Sequence, residues 1–321
     1  MTRQLRSTTR KIKDVPEPGF TSTTMPEEAR GASDSIKRPP KHQTQLSDLD
    51  ASETHLFRKK QARLSSSRAG LNKEASSYGS HITTALSATF IFAQAEAGTA
   101  VCIDPSGWML TCAHCFGEDE AEARRERFKW LLHYKGVAVQ VECVVWDERR
   151  DLALARVVRI ESDGVEISPF PCIALPPLPE AHSMRAPIVC IGQPGADDLE
   201  SKRPRATGYD LLEISEGELM GLIPGADPQE NSEIGTLKHD AWTYWGHSGA
   251  PLVCRETGTL LGLHSSWDDQ TAMRHGVPLV AIREFLALHL PLHERRAGEG
   301  PGLLVGLAAA PEPEIIAIVS A

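Results

Sequence analysis

Three residues have the types and the order that nucleophilic catalysis on a carbonyl group requires. His114 follows an apolar stretch, Asp151 precedes an alternating apolar stretch, and Ser248 lies in the turn Gly246–Gly249. A serine hydroxyl needs a base to take its proton, and that base needs a carboxylate to fix its tautomer. His114, Asp151 and Ser248 supply these three residue types, in the order His…Asp…Ser.

The turn around Ser248 is suited to stabilising negative charge on an oxygen. Gly246 and Gly249 permit backbone angles that are closed to other residues. We expect such a turn to direct the N–H groups of Gly246 and Ser248 at one point. Two converging donors would form an oxyanion hole there.

The region that must position these residues, 81–292, has the pattern of an all-β protein. Short apolar runs rich in Val, Ile and Leu alternate with Gly, Pro and Asp turns at a spacing of about 8–12 residues. The Pro-rich connection Ser168–Pro179 divides the region into halves, at about 81–168 and about 180–292. Each half has about the length of a six-stranded antiparallel β-barrel, so we predict two such barrels.

Three segments of this region carry more local predictions. Ile82–Gln94 is predicted to be a strand, and Ile282–Leu290 has the character of a short C-terminal helix. The charged segment Glu118–Arg127 is predicted to be a solvated loop or a short helix.

Charge divides the chain into a basic arm and an acidic body. The net charge is −9, but residues 1–80 contain 15 Lys and Arg against 9 Asp and Glu, which leaves −15 for the remainder. Apolar residues in 1–80 are isolated, which predicts a disordered basic tail. Residues 293–321 are predicted to form a C-terminal tail. No run of about 18 apolar residues occurs, so no membrane span is expected.

Six segments over residues 85–290 resemble, in their order, the trypsin-like serine proteases of the chymotrypsin fold. They are Gly98-Thr-Ala-Val, Leu110-Thr-Cys-Ala-His, Asp151-Leu-Ala-Leu, Ile191-Gly-Gln-Pro-Gly, Gly246-His-Ser-Gly-Ala-Pro-Leu-Val and Leu261-Gly-Leu-His. The fourth segment and the Asp240-Ala pair are more similar to the HtrA/Deg branch than to the digestive branch. No PDZ-sized segment follows residue 292.

The resemblance implies two perpendicular β-barrels with the active site in the cleft between them. It also implies a serine endopeptidase in which His114 is the general base, Asp151 orients it, and Ser248 is the nucleophile that attacks the peptide carbonyl. Ser265 matches the position that supports the catalytic carboxylate. Ser265, Ser266 and Trp267 match the strand that pairs with the substrate backbone. Trp242 matches the floor of the primary specificity pocket, and Gly276 matches its wall. Because Trp242 provides no acidic anchor for Arg or Lys, the resemblance implies a preference for apolar or small side chains.

Two departures from the digestive enzymes concern activation. Nothing in the sequence resembles the Ile-Val-Gly-Gly activation site, and His247 replaces the aspartate that would pair with a new N-terminus. Together these departures argue against activation by N-terminal cleavage.

The cysteines raise the question of a metal site. Cys112 and Cys115 bracket His114, but no second Cys/His pair stands at zinc spacing. We therefore predict no metal and no cofactor, and we expect the 7 cysteines to be free thiols, mostly buried.

The partners and the compartment follow from charge and from the N-terminal sequence. Protein or peptide substrates are the expected partners, with no firm nucleic-acid partner, because the basic arm is short and the acidic body would repel phosphate. The missing secretory signal and the odd cysteine count favour the cytoplasm or nucleus, with mitochondria as the alternative. The sequence gives no oligomeric state.

Three other interpretations stay open at the level of sequence. The segment around Ser248 also resembles the nucleophile elbow of α/β-hydrolases, although that fold needs the order Ser…Asp…His. A protease fold used as a catalytically inactive binding module would keep the same motifs. A nucleic-acid-binding protein would depend on the basic arm alone.

Overall fold

The computed structural model describes residues 23–24, 49–161, 169–177, 185–198, 201, 203 and 205–290. The strands are β1 (Thr23–Thr24), β2 (Thr89–Phe92), β3 (Thr99–Cys102), β4 (Trp108–Thr111), β5 (Phe128–His133), β6 (Ala138–Asp147), β7 (Leu152–Glu161), β8 (Pro187–Gly192), β9 (Glu213–Leu222), β10 (Leu237–His239), β11 (Pro251–Cys254), β12 (Leu260–Trp267) and β13 (Arg274–Pro278). The helices are α1 (Ala51–Ser77), α2 (Ser80–Ala88), α3 (Glu120–Arg125) and α4 (Leu279–His289).

Strands β2 to β7 form the N-terminal barrel. Their order is β6-β5-β2-β3-β4-β7, and the pairing of β6 with β7 closes the barrel. All neighbours are antiparallel. The two residues of β1 pair with β6, with Thr23 opposite Trp146. Strands β2, β3 and β4 are buried along their whole length, which explains why their sequences are continuous apolar runs.

Strands β8 to β13 form the C-terminal barrel, closed in the order β10-β13-β12-β11-β8-β9. The prediction of two six-stranded antiparallel barrels is thus confirmed. The sequence analysis missed β9 and β10. Strand β9 carries Glu213, Glu216 and Glu218 and is only half-buried, so it lacks the apolar run of a core strand. Strand β10 has only three residues, too few for a pattern to stand out.

Helix α1 corrects the prediction that residues 1–80 are disordered, because 51–77 form one helix of 27 residues. Asp50 caps its N-terminus: the Asp50 carboxylate accepts from the Glu53 amide at 2.8 Å, and the Glu53 carboxylate accepts from the Asp50 amide at 2.8 Å. The apolar residues look isolated in the sequence, yet those at Phe57, Leu64 and Leu71 recur every seven residues. They therefore share one helix face, which is buried.

Contacts with the N-terminal barrel hold α1 in place. The ring of Phe57 packs edge-on against Trp130, with the ring centroids 5.7 Å apart. The guanidinium of Arg58 donates to both carboxylate oxygens of Glu161, at 2.7 and 2.8 Å. Burial of the apolar face and this two-pronged ion pair offset the entropy of ordering a mostly polar segment. The predicted tails at 1–22, 25–48 and 293–321 lie outside the described residues.

The predicted strand Ile82–Gln94 is wrong in its first half. Residues Ser80–Ala88 form α2, and the strand β2 begins only at Thr89. Ile82, Ala85 and Leu86 are fully buried, and their spacing of three and four residues is that of one helix face. A short apolar run is ambiguous between strand and helix, and here the packing decides it.

The remaining helices agree with the predictions. The C-terminal helix is confirmed as α4, which buries Ile282, Phe285 and Leu286. The charged segment after His114 contains the short helix α3, capped by Asp119. No helix among the described residues is long and apolar enough to cross a bilayer.

One hydrophobic core spans both barrels. The cluster fills the N-terminal barrel and continues into the C-terminal barrel, where it includes Ile191, Val253, Leu263 and Val277. A smaller cluster around Cys190 and Leu252 lies in the C-terminal barrel. The shared core fixes the relative position of the two barrels and hence of residues that meet between them.

Candidate active site

His114 and Asp151 meet at one end of the N-terminal barrel. His114 lies in a 3-10 turn, Ala113–Cys115, just after β4, and Asp151 lies in the tight turn between β6 and β7. The Nδ1 atom of His114 is 2.9 Å from Oδ1 and 3.0 Å from Oδ2 of Asp151, and the His114 amide donates to Oδ1 at 3.2 Å. The pairing of Thr111 with Ala153 holds the two turns side by side.

Asp151 is held in a conformation that few residues other than glycine adopt. Its φ angle is +51°, in the left-handed region, and its side chain is buried. A strained residue of this kind persists only where its surroundings over-determine it. The hydrogen bonds to His114 supply that constraint.

Ser265 extends the pair across to the C-terminal barrel. Its hydroxyl donates to Oδ2 of Asp151 at 2.7 Å. Burial raises the pKa of the Asp151 carboxyl, but the nearby His114 and the hydrogen bonds from His114 and Ser265 outweigh burial and lower the pKa below its usual value. The carboxylate is therefore ionised at neutral pH and can hold the imidazole in one tautomer.

Ser248 joins the same network through Ser265. Its hydroxyl donates to the Ser265 carbonyl oxygen at 3.3 Å, and its own carbonyl accepts from the Thr99 amide at 2.8 Å. The turn depends on Gly249, whose φ is +80°, because a Cβ there would lie 2.0 Å from the Thr99 oxygen. The structure thus brings Ser248 to the junction of the two barrels, beside the residues that carry the other proposed roles.

The turn leaves two of its N–H groups without acceptors. The amide of His247 donates to the Tyr244 oxygen at 3.1 Å, and that of Gly249 donates to the His264 oxygen at 2.8 Å. Within the described residues, the amides of Gly246 and Ser248 donate to no acceptor. Two unpaired donors two residues apart, on a half-exposed turn, are what an oxyanion hole requires.

Comparison with known protein families identifies the family of this chain. The profile of the family described as "Trypsin-like peptidase domain" matches residues 98–263, just over half of the chain. The chain belongs to the trypsin-like peptidase family. No curated protein matches the sequence.

Two solved structures are similar to this trypsin-like peptidase. The serine endoprotease from Yersinia pestis is 17% identical, with a TM-score of 0.46 over 64% of this chain and 64% of that one. The inactive form of the Rv3671c protease is 15% identical, with a TM-score of 0.45 over 66% of this chain and 93% of that one. The peptidase thus spans less than two thirds of the Yersinia protein.

His247 is buried within the turn that carries Ser248. Its Nδ1 lies 3.1 Å from the Tyr244 amide nitrogen. Burial lowers its pKa to about 4, so the ring is neutral at pH 7. Its ring packs at a right angle to that of Trp242, with the centroids 5.4 Å apart. A hydrogen bond and a ring contact therefore hold His247 within its own turn.

The segments expected to contact substrate lie beside this turn. Ser266 and Trp267 end strand β12, after a bulge between His264 and Ser266. The Trp267 ring packs edge-on against that of Trp245, which immediately precedes Gly246 in sequence, with the centroids 5.6 Å apart. The segment predicted to pair with the substrate backbone is therefore in direct contact with the residue that precedes Gly246.

The strand register places Gly276 and Arg274 at different positions along β13. Gly276 pairs with His264 and Leu237, inside the barrel, and a Cβ on it would lie 2.3 Å from the Leu263 oxygen. Arg274 is the residue that pairs with Trp267. The register thus places Arg274 opposite Trp267 and Gly276 opposite His264. Sequence reasoning missed Arg274 because the turn before β13 does not reveal which residue pairs with β12.

The atoms of Cys112, His114 and Asp151 that could bind a metal lie within 4.8 Å of one another. Burial raises the pKa of the Cys112 thiol well above its ordinary value, and the thiol donates to the His264 oxygen at 3.4 Å. A metal ligand must be the thiolate, so a buried, protonated thiol fits such a site poorly. All seven cysteines are free thiols.

Proposed function

We propose that this trypsin-like peptidase is a serine endopeptidase that cleaves peptide bonds of proteins through an acyl-enzyme. One observation carries the proposal: a single hydrogen-bonded network connects His114, Asp151, Ser265 and Ser248, next to two unpaired N–H groups. A structural network alone would leave no reason for the free donors. The similarity of short motifs to the HtrA/Deg branch suggests a relationship, which we also keep as a proposal.

The first half of the reaction forms the acyl-enzyme. The Ser248 hydroxyl turns from the Ser265 oxygen toward His114, which removes its proton as the hydroxyl oxygen attacks the substrate carbonyl. The new oxyanion accepts hydrogen bonds from the amides of Gly246 and Ser248. The ionised Asp151 stabilises the imidazolium. The tetrahedral intermediate then collapses as His114 donates its proton to the departing amine.

The second half regenerates the enzyme. A water molecule gives its proton to His114 while its oxygen attacks the ester carbonyl of the acyl-enzyme. The oxyanion again lies against the amides of Gly246 and Ser248. The proton on His114 returns to the Ser248 oxygen as the ester bond breaks, which releases the peptide acid.

One observation favours a second candidate, a protease fold used as an inactive binding module. The Ser248 hydroxyl donates its proton to the Ser265 carbonyl oxygen at 3.3 Å. A serine locked in that orientation would bind peptide along β12 without attacking it. At 3.3 Å this hydrogen bond is long, so the Ser248 hydroxyl can reorient at little cost. Catalytic hydrogen bonds are often long in the absence of substrate and tighten when substrate binds.

Active-site labelling separates the two candidates. A fluorophosphonate probe is expected to label the wild-type protein on Ser248, and the wild-type protein is expected to hydrolyse casein peptides. Ser248→Ala and His114→Ala should abolish both activities while the near-UV circular dichroism spectrum is unchanged. Cys254→Ala, in the second core, serves as a control that changes a buried residue outside the network. Hydrolysis that survives in Ser248→Ala would refute the proposed function, and absent labelling of the wild type would support the binding module.

A further inference from the structure

Arg274 lies next to the segment that is predicted to bind the substrate. Arg274, the first residue of β13, pairs with Trp267 at the end of the substrate-pairing segment. Its neighbour His275 pairs with Ser266. Arg274 is therefore placed at the pocket end of the strand, next to the residues expected to bind the substrate backbone.

The charge of Arg274 acts on three buried histidines of the C-terminal barrel. Burial and the charge of Arg274 both lower the pKa of His239, which falls to about 3. Burial also lowers the pKa of His247 to about 4, and that of His264 to well below its usual value, and Arg274 adds to both effects. These three rings are buried, and the ring of His247 packs against Trp242. Because residues paired across adjacent strands have their side chains on one face of the sheet, Arg274 lies on the same face as His239 and Trp267.

The neutral histidines form a connected group around this charge. The Nε2 of His239 lies 3.0 Å from Nδ1 of His264, and their ring centroids are 5.2 Å apart. The centroid of His247 lies 6.3 Å from that of His264. Because all three rings are neutral at pH 7, the fixed positive charge in this part of the pocket belongs to Arg274.

Several nitrogen atoms in this group have no partner. Within the described part of the chain, the buried Nε of Arg274 makes no hydrogen bond, and neither do Nδ1 of His239 or Nε2 of His247. Arg274 also forms no ion pair with any described residue. Buried polar atoms are normally satisfied. The Nε–H of Arg274 can only donate, so this unsatisfied atom calls for a ligand that supplies an acceptor.

A nearby carboxylate does not fill this role. Asp268, on the turn between β12 and β13, is used by its own turn: it accepts from the Thr271 hydroxyl at 2.7 Å and from the Gln270 amide at 2.8 Å. Guanidinium groups bind carboxylates through two parallel hydrogen bonds, and the strength of this pair increases where water is excluded. The unpaired donors are therefore suited to an acidic group brought by the substrate.

We propose that Arg274 selects an acidic side chain, Asp or Glu, at the residue whose carbonyl Ser248 attacks. This inference rests on the proposed function and identifies its substrate class. It replaces the expectation of an apolar or small side chain, which took account of Trp242 but not of Arg274. In this proposal Trp242 forms the floor of the pocket, and Arg274 supplies the positive charge that binds the acidic side chain.

Matched peptides test the preference. Four internally quenched peptides differ only in the residue before the scissile bond, which is Glu, Gln, Leu or Lys. The wild-type protein should cleave the Glu peptide about 10- to 150-fold faster, in kcat/KM, than the Gln peptide, which has the same shape without the charge. Equal rates for the Glu, Gln and Leu peptides would overturn the proposal.

Variants of Arg274 assign the preference to this residue. Arg274→Gln should lower the ratio of kcat/KM for the Glu peptide to kcat/KM for the Gln peptide to about one. Arg274→Glu should favour the Lys peptide, and Arg274→Lys should keep part of the preference for Glu. The control is Arg185→Gln, which removes an exposed arginine that pairs with Glu218 and should change no ratio. A Glu preference that survives in Arg274→Gln would overturn the proposal.

Two further measurements separate a failure of the pocket assignment from a failure of the proposed function. Fluorophosphonate labelling of each Arg274 variant shows whether its active site is formed. Binding of the Glu and Gln peptides to Ser248→Ala, by fluorescence anisotropy, reports on the pocket without hydrolysis. Tighter binding of the Glu peptide, lost in the double variant with Arg274→Gln, would support the pocket assignment even if the protein hydrolyses nothing. Equal binding of the two peptides would refute it.

Discussion

The ammonium group of Lys60, on helix α1, donates a hydrogen bond to the carbonyl oxygen of Phe92 at 3.1 Å. It donates a second one to the carbonyl oxygen of Gln94. These carbonyls lie at the start of the loop between β2 and β3. This loop contacts the turn Gly246–Gly249, because a Cβ added to Gly246 would lie 2.4 Å from the Cβ of Ala97. The N-terminal helix therefore braces the loop that packs against the predicted oxyanion hole.

Lys60 should give the stability of the protein a distinctive dependence on pH. Burial lowers its pKa from 10.5 to about 8, and the nearby Glu96 opposes this shift. Between pH 8 and 10.5 the unfolded chain binds more protons at this residue than the folded one does. The free energy of unfolding therefore rises with pH in this window, by about 3 kcal/mol relative to Lys60→Met.

Urea unfolding followed by tryptophan fluorescence, at pH 7.5, 9 and 10.5, measures this difference. Lys59→Met is the matched control, because Lys59 is the exposed neighbour on the same helix. The free energy of unfolding of the wild type minus that of Lys60→Met should increase with pH. The corresponding difference between the wild type and Lys59→Met should stay constant. A difference from Lys60→Met that does not change with pH would mean that Lys60 is solvated.

Ser265 should act on catalysis through Asp151. Removing its hydroxyl in Ser265→Ala takes away one hydrogen bond that lowers the pKa of the Asp151 carboxyl. The pKa of Asp151 should therefore rise. A carboxylate with one hydrogen bond fewer should stabilise protonated His114 more strongly, so the acid limb of activity, which reports protonation of this general base, should move to higher pH. We also expect kcat/KM to fall roughly tenfold at neutral pH.

The pH profile of kcat/KM distinguishes this role from a structural one. Ser106→Ala is the control, since its hydroxyl also donates to a carboxylate, that of Asp104, away from the site. Its acid limb should coincide with that of the wild type. An unshifted limb in Ser265→Ala would show that Ser265 does not tune Asp151.

Gly249 should tolerate no side chain, and Gly208 provides a control with the same backbone. Their φ angles are +80° and +79°, but a Cβ would meet the Thr99 oxygen at 2.0 Å in the first and nothing within 4 Å in the second. Gly208→Ala should cost only the backbone strain, on the order of 1 kcal/mol. Gly249→Ala should cost several kcal/mol more, because the turn must move away from β3. Thermal unfolding and fluorophosphonate labelling of both variants check this, and equal effects would contradict it.

Helix α1 should contribute strongly to stability despite its polar sequence. Phe57 is fully buried against Trp130, so Phe57→Ala should lower the free energy of unfolding by about 3–5 kcal/mol. Lys59→Ala, two residues along on the exposed side, should change it by less than about 0.5 kcal/mol. Urea titration of both variants measures the difference. A Phe57→Ala effect as small as that of Lys59→Ala would mean that α1 is not docked in solution.

Much of the fold could be predicted because its signals are local. Each strand of the N-terminal barrel core is a short apolar run between turn residues, and burial on both sides requires that pattern. The candidate site residues His114, Asp151 and Ser248 stand in short motifs for the same reason: each depends on a tight turn at the end of a strand. Their chain order then sufficed to suggest one chemistry.

The sequence by itself therefore determined the two barrels and the residue types of the candidate site. Only the tertiary structure decided that residues 51–77 are helical, because Phe57, Leu64 and Leu71 gain enough burial only against a barrel. Only the register of β12 and β13 decided that Arg274 lies opposite Trp267. Strand register depends on the number of residues in the intervening turn, and burial depends on surfaces that are distant in the chain. A local sequence pattern therefore predicts neither.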